Sequence, residues 1–349
     1  MARLDGFQRL GNDLYTGKRS VDFIGKRRLW LGIAALLVLF AVAVPFVRGG
    51  GDFGAGFNFG IEFRGGSQFL VEDAKTQADG TIDTTLATDA VHEVVPTAVV
   101  HVATVGDTGV RVQTDQLTTI ETRDVADNLR EVYETETVSS SFIGATWGAD
   151  VTANALRGLA VFVLFAAVLM ALYFRTWKMS LAAILALLHD LVITVGVYAA
   201  TGFEITPAAV IGFLTILGYS LYDTVVVFDK IRENTAELGD ESNRTFGEAV
   251  NLAVNQTLVR SINTGVVAAL PVAAILFIGA FILGADTLRD ISLALFVGTI
   301  LGTYSTPFVA APLYAMFRQG ETEIARRDKR VLALRAKSVG AKASAEVTS

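Results

Sequence analysis

Six apolar runs decide what this chain can fold into. They lie at residues 29–47, 156–174, 179–201, 205–228, 257–283 and 288–317. About 20 apolar residues in an α-helix cross the hydrocarbon of a bilayer. Inside lipid, only a helix or a closed barrel satisfies its own backbone. The runs therefore predict six transmembrane helices, the last two long enough to tilt or to project beyond the hydrocarbon. A hydrophobic fraction of 52% and a mean hydropathy of +0.48 override the two soluble domains that 349 residues would otherwise suggest.

The residues between the first two runs, 48–155, have ordinary globular composition. "IEFRGGSQFLVED" (61–73) reads as a strand and "TTLATDAVHEVV" (84–95) has helical spacing. "AVVHVATVG" and "GVRVQTD" read as a hairpin around Gly106-Asp107. "TIETRDVADNLREVY" (119–133) is an amphipathic helix and "ETVSSSFIG" (136–144) a last strand. The order β-α-β-β-α-β predicts a ferredoxin-like α+β domain. The glycines of Arg64-Gly65-Gly66 read as a turn or bulge rather than a phosphate loop. The Gly-, Asp- and Phe-rich stretch 49–60 reads as a linker. "GATWG" (144–148) reads as a hinge or an ordinary loop into the second span. The tail, 318–349, is basic and then rich in Ala, Ser and Lys, a composition that predicts disorder.

Orientation follows from Lys and Arg. Residues 1–28 place Lys18, Arg19, Lys26, Arg27 and Arg28 before the first span; Arg175 and Lys178 flank the next turn on that side. Lys230, Arg232 and Arg244 follow the fourth span, and the tail carries Arg318 and seven further basic residues. The opposite turns hold only Arg289. By the positive-inside rule both termini are cytoplasmic and 48–155 is outside. "AVA" (41–43) resembles a signal-peptide cleavage site, but the long apolar run and its N-terminal extension predict an uncleaved anchor.

Ionisable groups within spans cost on the order of 2.5–3.5 kcal/mol on insertion scales. Asp190 follows His189 in the middle of the third span. Asp223 lies in the fourth, and Arg260 near the start of the fifth. The fourth and fifth spans form an antiparallel hairpin, and at about 1.5 Å per residue Asp223 and Arg260 reach similar depth. A pair between them is expected. Gln256, Arg260, Asn263 and Thr264 share one helical face, which must meet protein or water rather than lipid. Two readings stand: a neutralising pair that packs helices, and a proton site whose charge state changes as the pair forms or parts. For Asp190 the same two readings are open.

"GYSLYDTVVVFDKIREN" (218–234), "GIEFRGG" (60–66), "ALLHD" (186–190), "NQTLVRSINT" (255–264) and "DFIGKRR" (22–28) together resemble the SecF family, subunits of the bacterial SecDF protein-export complex. The resemblance covers roughly residues 10–318. It implies a partner, SecD, with which the six spans make a twelve-span unit like an RND-type transporter. It implies use of the proton motive force to draw unfolded preproteins from the SecYEG translocon, after SecA has driven them in, in the bacterial cytoplasmic membrane. The family's aspartate falls on Asp223 and its arginine on Arg260. Two positions depart from the family pattern: Tyr222 stands where relatives commonly have Asn, and Glu62 where they have Asp.

Three other classes share some of these features. An RND-type exporter of small molecules or lipids shares the architecture, but such pumps usually carry two six-span units in one chain. A structural scaffold of the translocon would use the polar groups for packing alone. An intramembrane aspartyl protease needs a Gly-x-Gly-Asp context that Asp190 lacks. No enzymatic activity and no nucleic-acid partner are expected, and lipid is the surrounding solvent. There is no cysteine, and His92, His101 and His189 are too far apart for a zinc motif, so no metal or cofactor is expected.

Overall fold

The structure is a computed structural model. It describes residues 9, 11–76, 81–106, 108–236, 238, 243–280 and 286–347, with side chains described except at 280, 286, 287 and 338–347. Helix α1 (Arg27–Arg48) leads through a 3-10 turn to β1 (Asn58–Phe59), a one-turn α2 (Ile61–Arg64) and β2 (Gly66–Val71). Then come α3 (Thr85–Val94), β3 (Val100–Val105), β4 (Gly109–Thr114), α4 (Thr119–Val132) and β5 (Val138–Ile143). The remaining elements are α5 (Ala145–Phe174), α6 (Trp177–Thr201), β6 (Glu204–Ile205), α7 (Pro207–Ala236), α8 (Phe246–Ala274), α9 (Asp286–Ser305), α10 (Ala311–Gln319) and α11 (Thr322–Val347). Among the described residues, six helical segments are long and apolar enough to span a membrane: α1, α5, α6, α7, α8 with its π-helical extension to Gly279, and α9–α10 from Leu288.

The outer domain is a four-stranded antiparallel sheet in the order β3-β4-β2-β5. With two helices on one face this is the ferredoxin-like arrangement expected from the β-α-β-β-α-β order. Phe69, Val71, Val110 and Val112 point from the central strands to the helices and pack on Ala87, Val91, Val125, Leu129 and Tyr133. The alternate residues Gln68, Arg111 and Gln113 point the other way, because side chains in a strand alternate faces. Arg111 and Gln113 are nonetheless buried, since the membrane helices lie against that face. Asp107, assigned to the hairpin turn, falls outside the described residues, as do residues 281–283 of the fifth apolar run.

Several boundaries differ from the sequence reading, each for a physical reason. Residues 61–64 are a helical turn rather than strand. Gly65 and Gly66, at φ 75° and 137°, break the chain there, and a Cβ on Gly66 would overlap the Thr114 carbonyl of the paired strand. "GATWG" is not a loop but the cap and start of α5, which packs on α2 through the bond from Thr152 Oγ1 to the Phe63 carbonyl (3.4 Å). α7 and α8 run past their apolar cores. A Thr245/Glu248 capping box starts α8 upstream of residue 257.

The tail, expected from composition to be disordered, is helical over Thr322–Val347. Val331 is buried, and Asp328 accepts the Phe246 N–H at 2.8 Å. Arg335 pairs with Glu248 at 2.7 Å. The tail thus docks on the start of α8, in a sequence rich in Ala, Lys and Arg, which favour helix.

Hydrophobic burial does not drive helices together in lipid, so close packing of small residues does. α7 and α9 cross where Gly298 meets Ile216 and Gly212 meets Ala294, with no room for an added Cβ at either glycine. Pro307 interrupts the last span, and Thr306–Ala310 is a π-helical turn. The N-terminal segment is pinned to α8: Asn255 accepts the Val21 N–H at 2.7 Å, and Asn251 accepts that of Phe23 at 2.8 Å. These segments and the tail gather at one end of the bundle, and the outer domain stands at the other.

Candidate functional site: two buried carboxylates

Asp190 lies on α6 and is 1% exposed. Its Oδ2 accepts from Ser220 Oγ of α7 at 2.7 Å and from Ser305 Oγ of α9 at 2.6 Å. Its Oδ1 lies 3.0 Å from His189 Nδ1. One carboxyl thus gathers three helices through hydroxyls and an imidazole. The His189 Nε2 is buried without a hydrogen-bond partner among the described residues.

Asp223 lies on α7 and is 5% exposed. Oδ1 accepts from Ser261 Oγ of α8 at 2.8 Å, and Oδ2 is buried without a partner among the described residues. Thr224, next in sequence, shares a hydroxyl contact of 3.1 Å with Thr306.

The sequence reading placed Asp223 opposite Arg260. The depth agrees within one residue, but the direct pair does not form. Successive residues on a helix point about 100° apart, and it is Ser261 that faces inward. Arg260 is exposed, and its Nη2 lies 3.5 Å from the Tyr222 hydroxyl. Among the described residues it makes no ion pair with Asp223 within 4.0 Å. Tyr222, the residue before Asp223, is thus the side chain that Arg260 meets on the outside of the bundle.

The polar face of α8 divides along its length. Gln256 accepts from Asn234 Nδ2 at 2.9 Å and donates to the Tyr15 carbonyl at 3.3 Å. Thr264 donates to the carbonyl of Arg260 at 2.9 Å, and Asn263 is exposed. Tyr222 is 57% exposed. Tyr222, Arg260 and Asn263 thus make a polar strip on the outside of the bundle. Sequence reasoning missed Ser220, Ser261 and Ser305, the hydroxyls that hold both carboxylates. The available signal was the spacing of Ser220 three residues before Asp223, which puts it on the same inward face of α7 although its bond goes to Asp190. No group of His, Asp and Glu among the described residues could hold a metal ion.

Six spans, a ferredoxin-like domain inserted after the first, and carboxylates buried between helices define a polytopic transport-type membrane subunit. The family model for the protein export membrane protein SecD/SecF C-terminal region matches residues 124–320, and the SecD/SecF GG motif matches 53–72. The chain belongs to the SecF family. It is 40% identical to the protein translocase subunit SecF of Streptomyces coelicolor, covering 97% of this chain and 87% of that one. It is 38% identical to SecF of Mycobacterium tuberculosis, covering 91% and 72%. The crystal structure of SecDF from Thermus thermophilus, a translocon-associated membrane protein, superposes with a TM-score of 0.71 at 30% identity. That match covers 86% of this chain and 39% of the longer SecDF chain.

Proposed function

We propose that this chain pairs with SecD and uses the proton motive force to promote preprotein translocation through the SecYEG channel, downstream of SecA. The observation that carries the proton reading is Asp223: a carboxyl buried in an apolar bundle, bonded to one hydroxyl, with a guanidinium nearby but held elsewhere. A cation approaching a buried carboxyl favours its ionised form, and one leaving favours the proton. Arg260 transferring from Tyr222 to Asp223 releases a proton, and its return takes one up. Each charge crossing 100 mV supplies about 2.3 kcal/mol. Asp190 is the second candidate carboxyl, with His189 beside it.

The outward strip of Tyr222, Arg260 and Asn263 supports a protein partner against α7 and α8, because lipid cannot satisfy these groups. The occupant is SecD, named in the fused relative. The basic end of the bundle faces the cytoplasm by the positive-inside rule, which places both termini inside and the outer domain beyond the cytoplasmic membrane. The role is transport rather than enzymatic catalysis.

The test is preprotein export in cells whose sole copy carries Asp223→Asn, with levels of both subunits checked. Slowed export with intact assembly supports the reading. Unchanged export reduces Asp223 to a packing residue.

A further inference from the structure

The turn joining α6 to α7 links the helix of Asp190 directly to the helix of Asp223, and Glu204 sits in that turn. Its carboxylate is held by two residues of β4. Arg111 Nη1 donates to Oε2 at 2.8 Å and Gln113 Nε2 to Oε1 at 2.6 Å. Arg111 and Gln113 are two apart on one strand, so both leave the sheet face that looks at the membrane helices. The pair is sheltered: the Arg111 and Glu204 side chains are 11% and 12% exposed. Gln113 also donates to Gln68 of β2 at 3.0 Å, which fixes its head group.

The same turn is held by backbone. β6 pairs parallel with β1, matching Asn58 with Glu204 and Phe59 with Ile205. Asn58 Nδ2 donates to the Gly202 carbonyl at 2.7 Å. Around the ion pair lies a polar layer with a cavity of about 280 Å³ bounded by Glu62, Gln68, Thr206, Ala208 and Asp290. A second, of about 180 Å³, adjoins Arg64, His101 and Arg289. Asp290 takes the Thr206 hydroxyl at 3.0 Å on Oδ2, while its Oδ1 is buried without a partner among the described residues.

We propose that Glu204 is a coupling residue: its bonds to Arg111 and Gln113 tie the outer-domain sheet to the α6–α7 turn and transmit movement between them. A sheltered ion pair has two favourable states. Closed, each charge neutralises the other; open, both must be hydrated, because a lone buried charge is strongly disfavoured. The polar layer supplies space for that water, since a single water occupies about 30 Å³. A shift of α7 against α6 therefore reaches β4 as a discrete release or capture. The proposal rests on the proton-driven reading above.

The experiment uses the full chain assembled with a cysteine-free SecD partner in right-side-out vesicles. Because this chain contains no cysteine, Ala208→Cys in the layer reports its opening through its labelling rate with a membrane-impermeant maleimide. Imposing a proton motive force is expected to change that rate by at least about fivefold, the lower range of a typical coupling. Adding Glu204→Gln abolishes the response and slows translocation. Gln113→Ala, which keeps the ion pair, gives an intermediate response, and Arg111→Glu with Glu204→Arg restores part of it. Co-purification with SecD reports assembly of each variant. A wild-type response retained in Glu204→Gln, or labelling in the parent that ignores the proton motive force, overturns the tie. Asp223→Asn is run in parallel. If it slows export while Glu204→Gln behaves as wild type, the tie alone is lost. If Asp223→Asn exports normally, the proton-driven reading is lost, whatever the Ala208→Cys labelling shows.

Discussion

Asp190 and Asp223 are the same residue type in similar apolar runs, yet their surroundings differ in redundancy. Asp190 has hydroxyl donors from two helices on one oxygen, whereas among the described residues Asp223 takes a close hydrogen bond from Ser261 only, with the Thr306 hydroxyl nearby. Removing one donor from a redundant set leaves the buried acceptor satisfied. Removing a sole donor incurs the desolvation penalty of about 1–3 kcal/mol. Ser261→Ala is therefore expected to lower the thermal stability of the detergent-purified complex by that amount. Ser220→Ala and Ser305→Ala should each do less, and their combination more than their sum. A single Ser220→Ala as damaging as the double variant refutes the shared clamp.

The carboxylates were legible in the sequence because an ionisable group in an apolar run is expensive and therefore conspicuous. The serines were not, because hydroxyls in membrane helices commonly satisfy themselves on the preceding turn, as Thr194 does on the Asp190 carbonyl at 2.7 Å. Depth along the helix was also legible, but rotation was not. One residue decides whether Arg260 or Ser261 meets Asp223.

The existence and number of the helices follow from the apolar runs, whereas their lengths follow from caps and packing that hydropathy does not register. The α7–α9 crossing shows what holds the elements together. Gly298→Ala forces a methyl into the Ile216 side chain, and overpacking of this kind costs about 1–3 kcal/mol. Gly298→Leu is expected to prevent assembly with SecD, read by co-purification and size-exclusion profile, and a normal profile rules out a tight crossing. The tail contrasts with this. The Arg335 and Glu248 side chains are 39% and 45% exposed, and exposed pairs contribute about 0–1 kcal/mol. Arg335→Ala should leave thermal stability within about 1 kcal/mol of wild type; a larger loss means the tail helix bears weight beyond this pair. Composition predicted disorder there because it records few apolar residues, and it misses that one buried valine and a handful of polar contacts give the helix somewhere to dock.

The whole molecule is organised around the polar layer between sheet and spans. "GVRVQTD" was legible as one arm of a hairpin, but nothing in the sequence indicated that one face of β4 would meet Glu204 in a turn between two spans. That layer also holds Glu62 of the GG-motif segment, whose Oε2 is buried without a partner among the described residues. Burial pushes the Glu62 carboxyl above the ordinary carboxylate range. Its own backbone N–H opposes the shift, Glu204 adds to it and Arg111 subtracts from it. A carboxyl raised in the folded state contributes stability that is fully present below its unfolded value, 4.5, and is lost as pH rises through the raised value. Docking of the outer domain is thus expected to be tighter in acid. Thermal unfolding of the complex from about pH 5 to about pH 8 tests this, read as wild type minus Glu62→Gln so that other titrating groups cancel. Glu321, held below the ordinary range chiefly by its bond to Arg318, has the opposite sign: its contribution is present above its unfolded value and lost as pH falls. Glu62→Gln should be the more stable form at the alkaline end, with the difference shrinking toward the acid end. A difference independent of pH shows that Glu62 titrates as an ordinary surface carboxyl and takes no part in the layer, and one that grows in acid shows its ionised form held by the layer instead, the opposite of the shift argued here.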